Sequence, residues 1–250
     1  TRRRGEASVV HHGHEDRHRL QTIQLIISLT KTMPLEITAL SFLLEGPMSV
    51  VSRPNRPVTV QPTMEIIMAR LPIPALDDAP AASKPILAAV NAQLGVVPNL
   101  FRVVSSSPVA LTALAGLSGT LAKSLDVKTR ERIALAVAQV NGCDYCLSAH
   151  TYLGLNLAKI SAEEIALNRK GTSGDPKADA AVRFAAKVAE TRGHVGDEDI
   201  AAVRKAGYSD AQVLEIVALV VENVFTNFVN EVAKTDIDFP VVQANDLKAA

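Results

Sequence analysis

The chain has 250 residues, of which 48% are hydrophobic and only 4% aromatic, with no Trp. Its core must therefore be built from Ala, Val, Leu and Ile, a composition that favours helices. Lys and Arg balance Asp and Glu at 26 each, and no dense basic patch of the kind that nucleic acid binding needs is present.

Residues 1–63 read differently from the rest. Arg2, Arg3 and Arg4, the histidines His11, His12, His14 and His18, and the proline-rich text around Pro54–Pro62 show no lasting helical or strand period. The histidine cluster reads as a solvated tail rather than a metal site. Leu20–Val51 is apolar, but Lys31, Glu36 and Glu45 interrupt it and Pro34 breaks it, which argues against a membrane span. Met64 and Met68 each precede an ordinary domain opening. Residues 1–63 are thus expected to be a poorly ordered extension without function, ahead of a helical domain over 64–250.

From Pro80 the helical punctuation is regular. Helices are expected over Ala82–Leu94, Pro98–Ser105 and Pro108–Lys123. Asp126 caps the next one, which Asn141-Gly142 stops. Another starts near Cys143 and runs to Leu153-Gly154. Ser161 to Glu164 has the form of a capping box, opening a helix that ends at Gly171. Lys177–Thr191, Glu198–Ala206 and Asp210–Ala233 complete an all-α domain without strands. A shift of 84 residues lays Asp126–Val140 over Asp210–Val224, with Glu131 on Glu215, Cys143 on Asn227 and Cys146 on Asn230. The simplest reading is a degenerate duplicated helical hairpin whose second copy lacks the thiols.

The only two cysteines, Cys143 and Cys146, stand three residues apart. A disulfide-stapled secreted domain would carry more, at wider spacing, so this pair suggests a reducing, cytoplasmic setting. A thiol in the first turn of a helix meets free N–H groups and the positive end of the dipole, which favour thiolate. His150 lies four residues beyond Cys146 on the same face and can exchange a proton with it. Glu131, on the preceding helix, reaches this group if the two helices pack antiparallel. Thiol redox chemistry is the leading reading. A zinc site from Cys143, Cys146 and His150 is an alternative, weakened because structural zinc draws on two separated segments and only His194 remains. Two inert buried cysteines in a non-catalytic oligomeric module are the third. Leu147, where a haem motif needs His, argues against covalent haem.

Glu131-x11-Cys143-x2-Cys146-x3-His150, with Asn141-Gly142 and Ala149 beside it, resembles the signature of the alkylhydroperoxidase D (AhpD)-like group of the carboxymuconolactone decarboxylase family. Val97-Pro-Asn-Leu-Phe101 with Ser107-Pro108, and Asp236–Pro240, are similar to the opening and close of its peroxidase-related branch. The likeness spans about Leu71 to Val241. It implies an all-helical bundle assembled as a trimer or hexamer. It also implies a thiol peroxidase in which Cys146 attacks a small hydroperoxide, Cys143 resolves the sulfenic acid as a disulfide, and Glu131 and His150 relay protons. No metal or cofactor is implied. An external thiol, dihydrolipoamide- or thioredoxin-like, would restore the dithiol. Tyr145 stands where the best-known members carry a second histidine. Decarboxylase members generally lack the cysteine pair, so lyase chemistry is a weaker alternative.

Two smaller features remain. Asn223, Asn227 and Asn230 form a polar stripe on an apolar helix; it serves either an interface or the dithiol pocket, where Asn227 and Tyr145 are the candidate lining residues. Tyr152 reads as packing and Glu215 as structural.

Overall fold

The computed structural model describes residues 69–247, so the expectations for residues 1–63, including the histidine cluster and the extension itself, lie outside the described residues. Nine α-helices follow in order: α1 (Lys84–Leu94), α2 (Asn99–Val104), α3 (Pro108–Leu121), α4 (Val127–Asn141), α5 (Asp144–Asn156), α6 (Ala162–Arg169), α7 (Pro176–Thr191), α8 (Asp197–Lys205) and α9 (Asp210–Ala233). No strand occurs among the described residues, and the domain is all-α.

The boundaries follow from local chemistry. Asp126 accepts from the Thr129 N–H and opens α4. Ser107, Asp175 and Ser209 open α3, α7 and α9 in the same way. Ser161 accepts from the Glu164 N–H, but the expected reciprocal arm of that capping box is not formed. The Glu164 carboxylate turns instead to the Gly174 N–H at 2.9 Å, Asn168 at 2.9 Å and Arg132 at 3.0 Å. With Ser173 Oγ as the fourth, these donors hold it more firmly than one backbone N–H at its own cap would.

Helix α4 is the centre. Ile133 through Val137 and Ala138 are all buried, and the helix packs against α5, α6, α7 and α9. Alternating Ala with Ile, Leu and Val keeps α4 apolar all round while letting neighbours approach closely. The largest core cluster joins Ile133 and Val137 to Phe184, Val203, Ile216 and Val220. Helix α9 crosses this core and also touches α2, α3 and α5. By length and hydropathy alone α9 could cross a bilayer; here its buried face is a core face that carries Asn223, Asn227 and Asn230.

The 84-residue echo needs one correction. Its first copy is a hairpin, α4 and α5, broken at Gly142 with φ +67. Its second copy is the single unbroken helix α9. Thr226 stands where Gly142 would be, and a β-branched residue has no comparable access to the left-handed region, so the helix runs on. The echo thus repeats a helix pattern and not a hairpin.

Candidate active site

The left-handed turn at Gly142 places Cys143 at the N-cap of α5, one step before the helix rather than inside it. There its Sγ accepts from the Cys146 N–H at 3.3 Å, taking up one of the unpaired donors of the first turn. Both cysteines are free thiols. Both are also buried, at 0% exposure for Cys143 and 3% for Cys146. Cys146 is the slightly less covered of the two, and both lie deep because α9 and the C-terminal segment cover the start of α5.

Acidity separates the pair. The Cys146 thiol is lowered to about 7 by its hydrogen bond with Cys143, against the cost of burial. The charge of His150 and the amides of Asn230 and Asn227 lower it further. Cys143 is pushed up by that same bond and by burial, with the negative charges of Cys146 and Glu231 adding to the effect. One proton is thus shared unequally between two sulfurs, with the anion favoured on Cys146.

Packing of α4 against α5 brings Glu131 Oε2 to 2.8 Å from His150 Nδ1. Burial alone would push the His150 ring down; the charge and hydrogen bond of Glu131 outweigh it and hold it above its ordinary value. The charges of Cys146 and Glu222 act in the same sense. Nδ1 is occupied by Glu131, so Nε2 is the nitrogen free to exchange a proton with a substrate or sulfur.

Helix α9 supplies the opposite wall. Asn230 Nδ2 donates to Cys146 Sγ at 3.3 Å. Asn227 Oδ1 accepts from Asn141 Nδ2 at 2.8 Å, which ties α9 to the end of α4. Asn223 instead donates to the Leu219 carbonyl of its own helix. From the sequence, Asn230 is one member of the polar stripe and Glu222 has no assigned role. Glu222 accepts from Ser118 Oγ at 2.5 Å, a pairing across 104 residues that no local spacing reveals. Asn230 did have a signal, since the 84-residue shift sets it opposite Cys146.

Tyr145 is buried beside the thiols, packed with Cys143 and Cys146, and its hydroxyl is engaged by other partners. The hydroxyl donates to Asp238 Oδ1 at 2.8 Å and accepts from the Leu100 N–H at 3.0 Å. Asp238 Oδ2 in turn accepts from the Asn99 N–H at 2.8 Å, and Asn99 Nδ2 donates to the Asp236 carbonyl at 3.0 Å. The first N–H groups of α2 are therefore satisfied by Tyr145 and the Asp236–Pro240 segment. The two outlying motifs, Val97–Phe101 and Asp236–Pro240, form one clasp on the thiol-bearing hairpin. Phe239 meets the Tyr145 ring edge-on at 5.9 Å. Beyond it, the Ala244 N–H donates to Asp144 and the Val242 N–H to Ser148.

Among the described residues no three side chains of His, Cys, Asp and Glu converge as a metal site requires, so the zinc alternative gains no geometric support. His194 is exposed on the loop between α7 and α8. A cavity of about 540 Å³ lies elsewhere, between α4, α6, α7 and α8, and none of the thiol-site residues lines it.

The profile of the carboxymuconolactone decarboxylase family matches residues 108–187, a stretch that includes Glu131, both cysteines and His150. No curated protein matches the chain. Among solved structures, a peroxidase-related protein with an alkylhydroperoxidase AhpD core from Ralstonia eutropha JMP134 is similar at 23% identity and a TM-score of 0.62, covering 68% of this chain and 92% of that one. A peroxidase-related protein from Silicibacter sp. TM1040 is similar at 22% identity and TM-score 0.61, covering 70% and 95%. The debrominase Bmp8 is similar at 22% identity and TM-score 0.58, covering 70% and 94%. At these identities the structures establish the shared fold.

The clasp generates a separable prediction. Tyr145→Phe leaves Asp238 Oδ1 and the Leu100 N–H without their partner, at a cost of about 1–3 kcal/mol. The Cys146 acidity should change little, because the groups that lower it are Cys143, His150, Asn230 and Asn227. Urea unfolding together with a pH titration of thiol reactivity checks both; an unchanged stability with a large change in thiol reactivity would place Tyr145 in the chemistry after all.

Proposed function

We propose that this chain, which belongs to the carboxymuconolactone decarboxylase family and has an AhpD-like helical fold, is a two-electron dithiol reductant acting on small hydroperoxides. The observation that carries the reading is the unequal thiol pair at the head of α5. Cys146 is held toward thiolate at about 7, while Cys143, within hydrogen-bond reach, stays protonated. A nucleophile and its resolving partner are thereby distinguished before any substrate arrives.

The steps balance as follows. The Cys146 thiolate attacks the terminal oxygen of a hydroperoxide, forming an S–O bond as the O–O bond breaks. The departing alkoxide takes a proton from His150, which Glu131 has kept charged. Cys143 then loses its proton and attacks the Cys146 sulfur. The S–S bond forms, the S–O bond breaks, and water leaves. One hydroperoxide and two thiols become an alcohol, water and a disulfide; an external dithiol, dihydrolipoamide- or thioredoxin-like, reverses the last change. The role of general acid falls to His150 and that of its orienting carboxylate to Glu131.

A second reading has one observation in its favour. A debrominase shares the fold, and reductive debromination would likewise draw two electrons from a dithiol. Brominated pyrrole therefore belongs beside the peroxides in any assay. We place the chain in the cytoplasm, where such a pair stays reduced.

Oligomerisation is part of the proposal. Leu214, Val221, Phe228 and Val232 are exposed along one side of α9, spaced by seven, seven and four residues. Such a stripe, opposite the buried asparagine face, suits burial against another copy in a trimer or hexamer.

Three measurements test this. Mass spectrometry after one equivalent of hydrogen peroxide should find a Cys143–Cys146 disulfide in wild type, a trappable sulfenic acid in Cys143→Ser, and no peroxide consumption by Cys146→Ser. Consumption that persists in Cys146→Ser defeats the mechanism. The alkylation rate of Cys146 should rise with pH about a midpoint near 7. In His150→Ala, loss of the neighbouring positive charge should move that midpoint upward, and peroxide turnover should fall by about 100-fold or more; an unmoved midpoint removes His150 from the site. Light scattering should give a multimer that Phe228→Glu dissociates, and a wild-type monomer at micromolar concentration would refute the assembly.

A further inference from the structure

Two buried polar atoms beside Cys146 lack a hydrogen-bond partner. One is Asn227 Nδ2, a donor; the other is Asn230 Oδ1, an acceptor. Their residues are 0% and 2% exposed. An orphaned polar atom at such depth carries a desolvation cost on the order of 1–3 kcal/mol, and native cores keep few of them. Here two occur three residues apart on one face of α9, one on the residue that donates to Cys146 Sγ and the other on a residue whose amide bears on the Cys146 acidity.

Their orientation is set by neighbours. Asn227 Oδ1 is occupied by Asn141 Nδ2 at 2.8 Å, which turns the Asn227 amide nitrogen the other way. Asn230 Nδ2 is occupied by Cys146 Sγ at 3.3 Å, which leaves Asn230 Oδ1 beside the nucleophile. The Asn227 amide is also near enough to Cys146 to influence its acidity. The site thus presents, next to one thiolate, an unused donor and an unused acceptor.

We propose that Asn227 and Asn230 clamp the two oxygens of a hydroperoxide at Cys146. The terminal O–H donates to Asn230 Oδ1 and is thereby oriented for attack. The second oxygen accepts from Asn227 Nδ2, which stabilises it as the O–O bond breaks and charge gathers there. The proton that completes the alcohol comes from His150. This deepens the peroxidase reading and rests on it. It also separates the two substrate classes, because a carbon–bromine group has no hydrogen to donate and leaves the Asn230 acceptor unmet. The pair was visible in the sequence as part of a polar stripe; its role as an oxygen clamp depends on which amide atoms are already engaged.

The test compares two reactions of one sulfur. Rates of Cys146 oxidation by hydrogen peroxide and of alkylation by iodoacetamide are measured on the full chain, wild type and Asn227→Leu, each divided by the thiolate fraction read from that protein's own pH titration, because the Asn227 amide also bears on the Cys146 acidity. Loss of one donor to a developing oxyanion should slow the peroxide reaction by about 100-fold, while alkylation stays within about threefold. Equal losses in both reactions would make Asn227 a determinant of acidity or folding and overturn the clamp. An undiminished peroxide rate would overturn it too, leaving the peroxidase reading intact. A wild type inert to hydrogen peroxide and to tert-butyl hydroperoxide would sink both. Should Asn227→Leu fail to fold, nitrogen NMR of Cys143→Ser takes its place. One equivalent of hydrogen peroxide should shift the Asn230 side-chain amide signal as the sulfenic O–H, formed from the terminal oxygen, donates to Asn230 Oδ1, and an unshifted signal would overturn the proposal.

Discussion

Gly142 ends α4 with φ +67 and ψ 28, and its N–H closes back on the carbonyls of Ala138 and Gln139. No added Cβ would meet a neighbour there, so the requirement for glycine is conformational rather than steric. The rest of the site depends on this turn. It makes Cys143 an N-cap, starts α5 at Asp144, and folds α5 back along α4 so that Glu131 and His150 meet. Without it the chain would run on as α9 does, and Cys143, Cys146 and His150 would lie along one rod with no partner at Glu131.

Burying a thiolate is costly unless donors replace water. Each donor here arrives from a different element. The Cys143 thiol donates from the N-cap of α5, α9 offers Asn230, and His150 offers charge favoured by Glu131 on α4. The negative sulfur is therefore a product of tertiary packing. Cys143 shows the converse. It is equally deep, but its S–H is engaged by Cys146, burial adds to the cost of charge, and the negative Cys146 and Glu231 lie near, so proton loss is disfavoured even though the Cys146 N–H donates to its sulfur. Two identical side chains three residues apart acquire opposite tendencies from what surrounds them.

Much of this was legible in the residues. Asp126, Ser209 and Gly142 mark helix ends by local chemistry, and local chemistry is what the sequence displays most directly. Cys143, Cys146 and His150 lie within about two turns of helix counted from the N-cap, so their proximity needs no tertiary information. Glu131 required only that a glycine turn fold α5 back on α4. What escaped depends on contacts that no short spacing encodes. Tyr145 reads as a lining residue because it adjoins Cys146, but that spacing does not reveal its hydroxyl bond to Asp238, 93 residues away. Glu222 finds Ser118 across a similar distance. The expected hairpin in the second repeat failed at one residue, Thr226, because helical periodicity does not report whether a helix is interrupted.

The 84-residue echo nevertheless carried tertiary information of an unexpected kind. Cys146 and Asn230, equivalent under the shift, touch through a hydrogen bond. Asn141 and Asn227, 86 residues apart, do likewise. Two related helices that cross in a core place their equivalent positions close to one another, so divergence at one copy is felt at the other. A thiol on α5 and an amide on α9 are therefore complementary halves of one site. The amide became useful because its copy carries no sulfur: a second thiol at position 230 would compete for the same proton, whereas an amide donates to the anion without titrating. On this view the second repeat is the polar wall against which the first copy's chemistry takes place, and losing its cysteines was the change that allowed it.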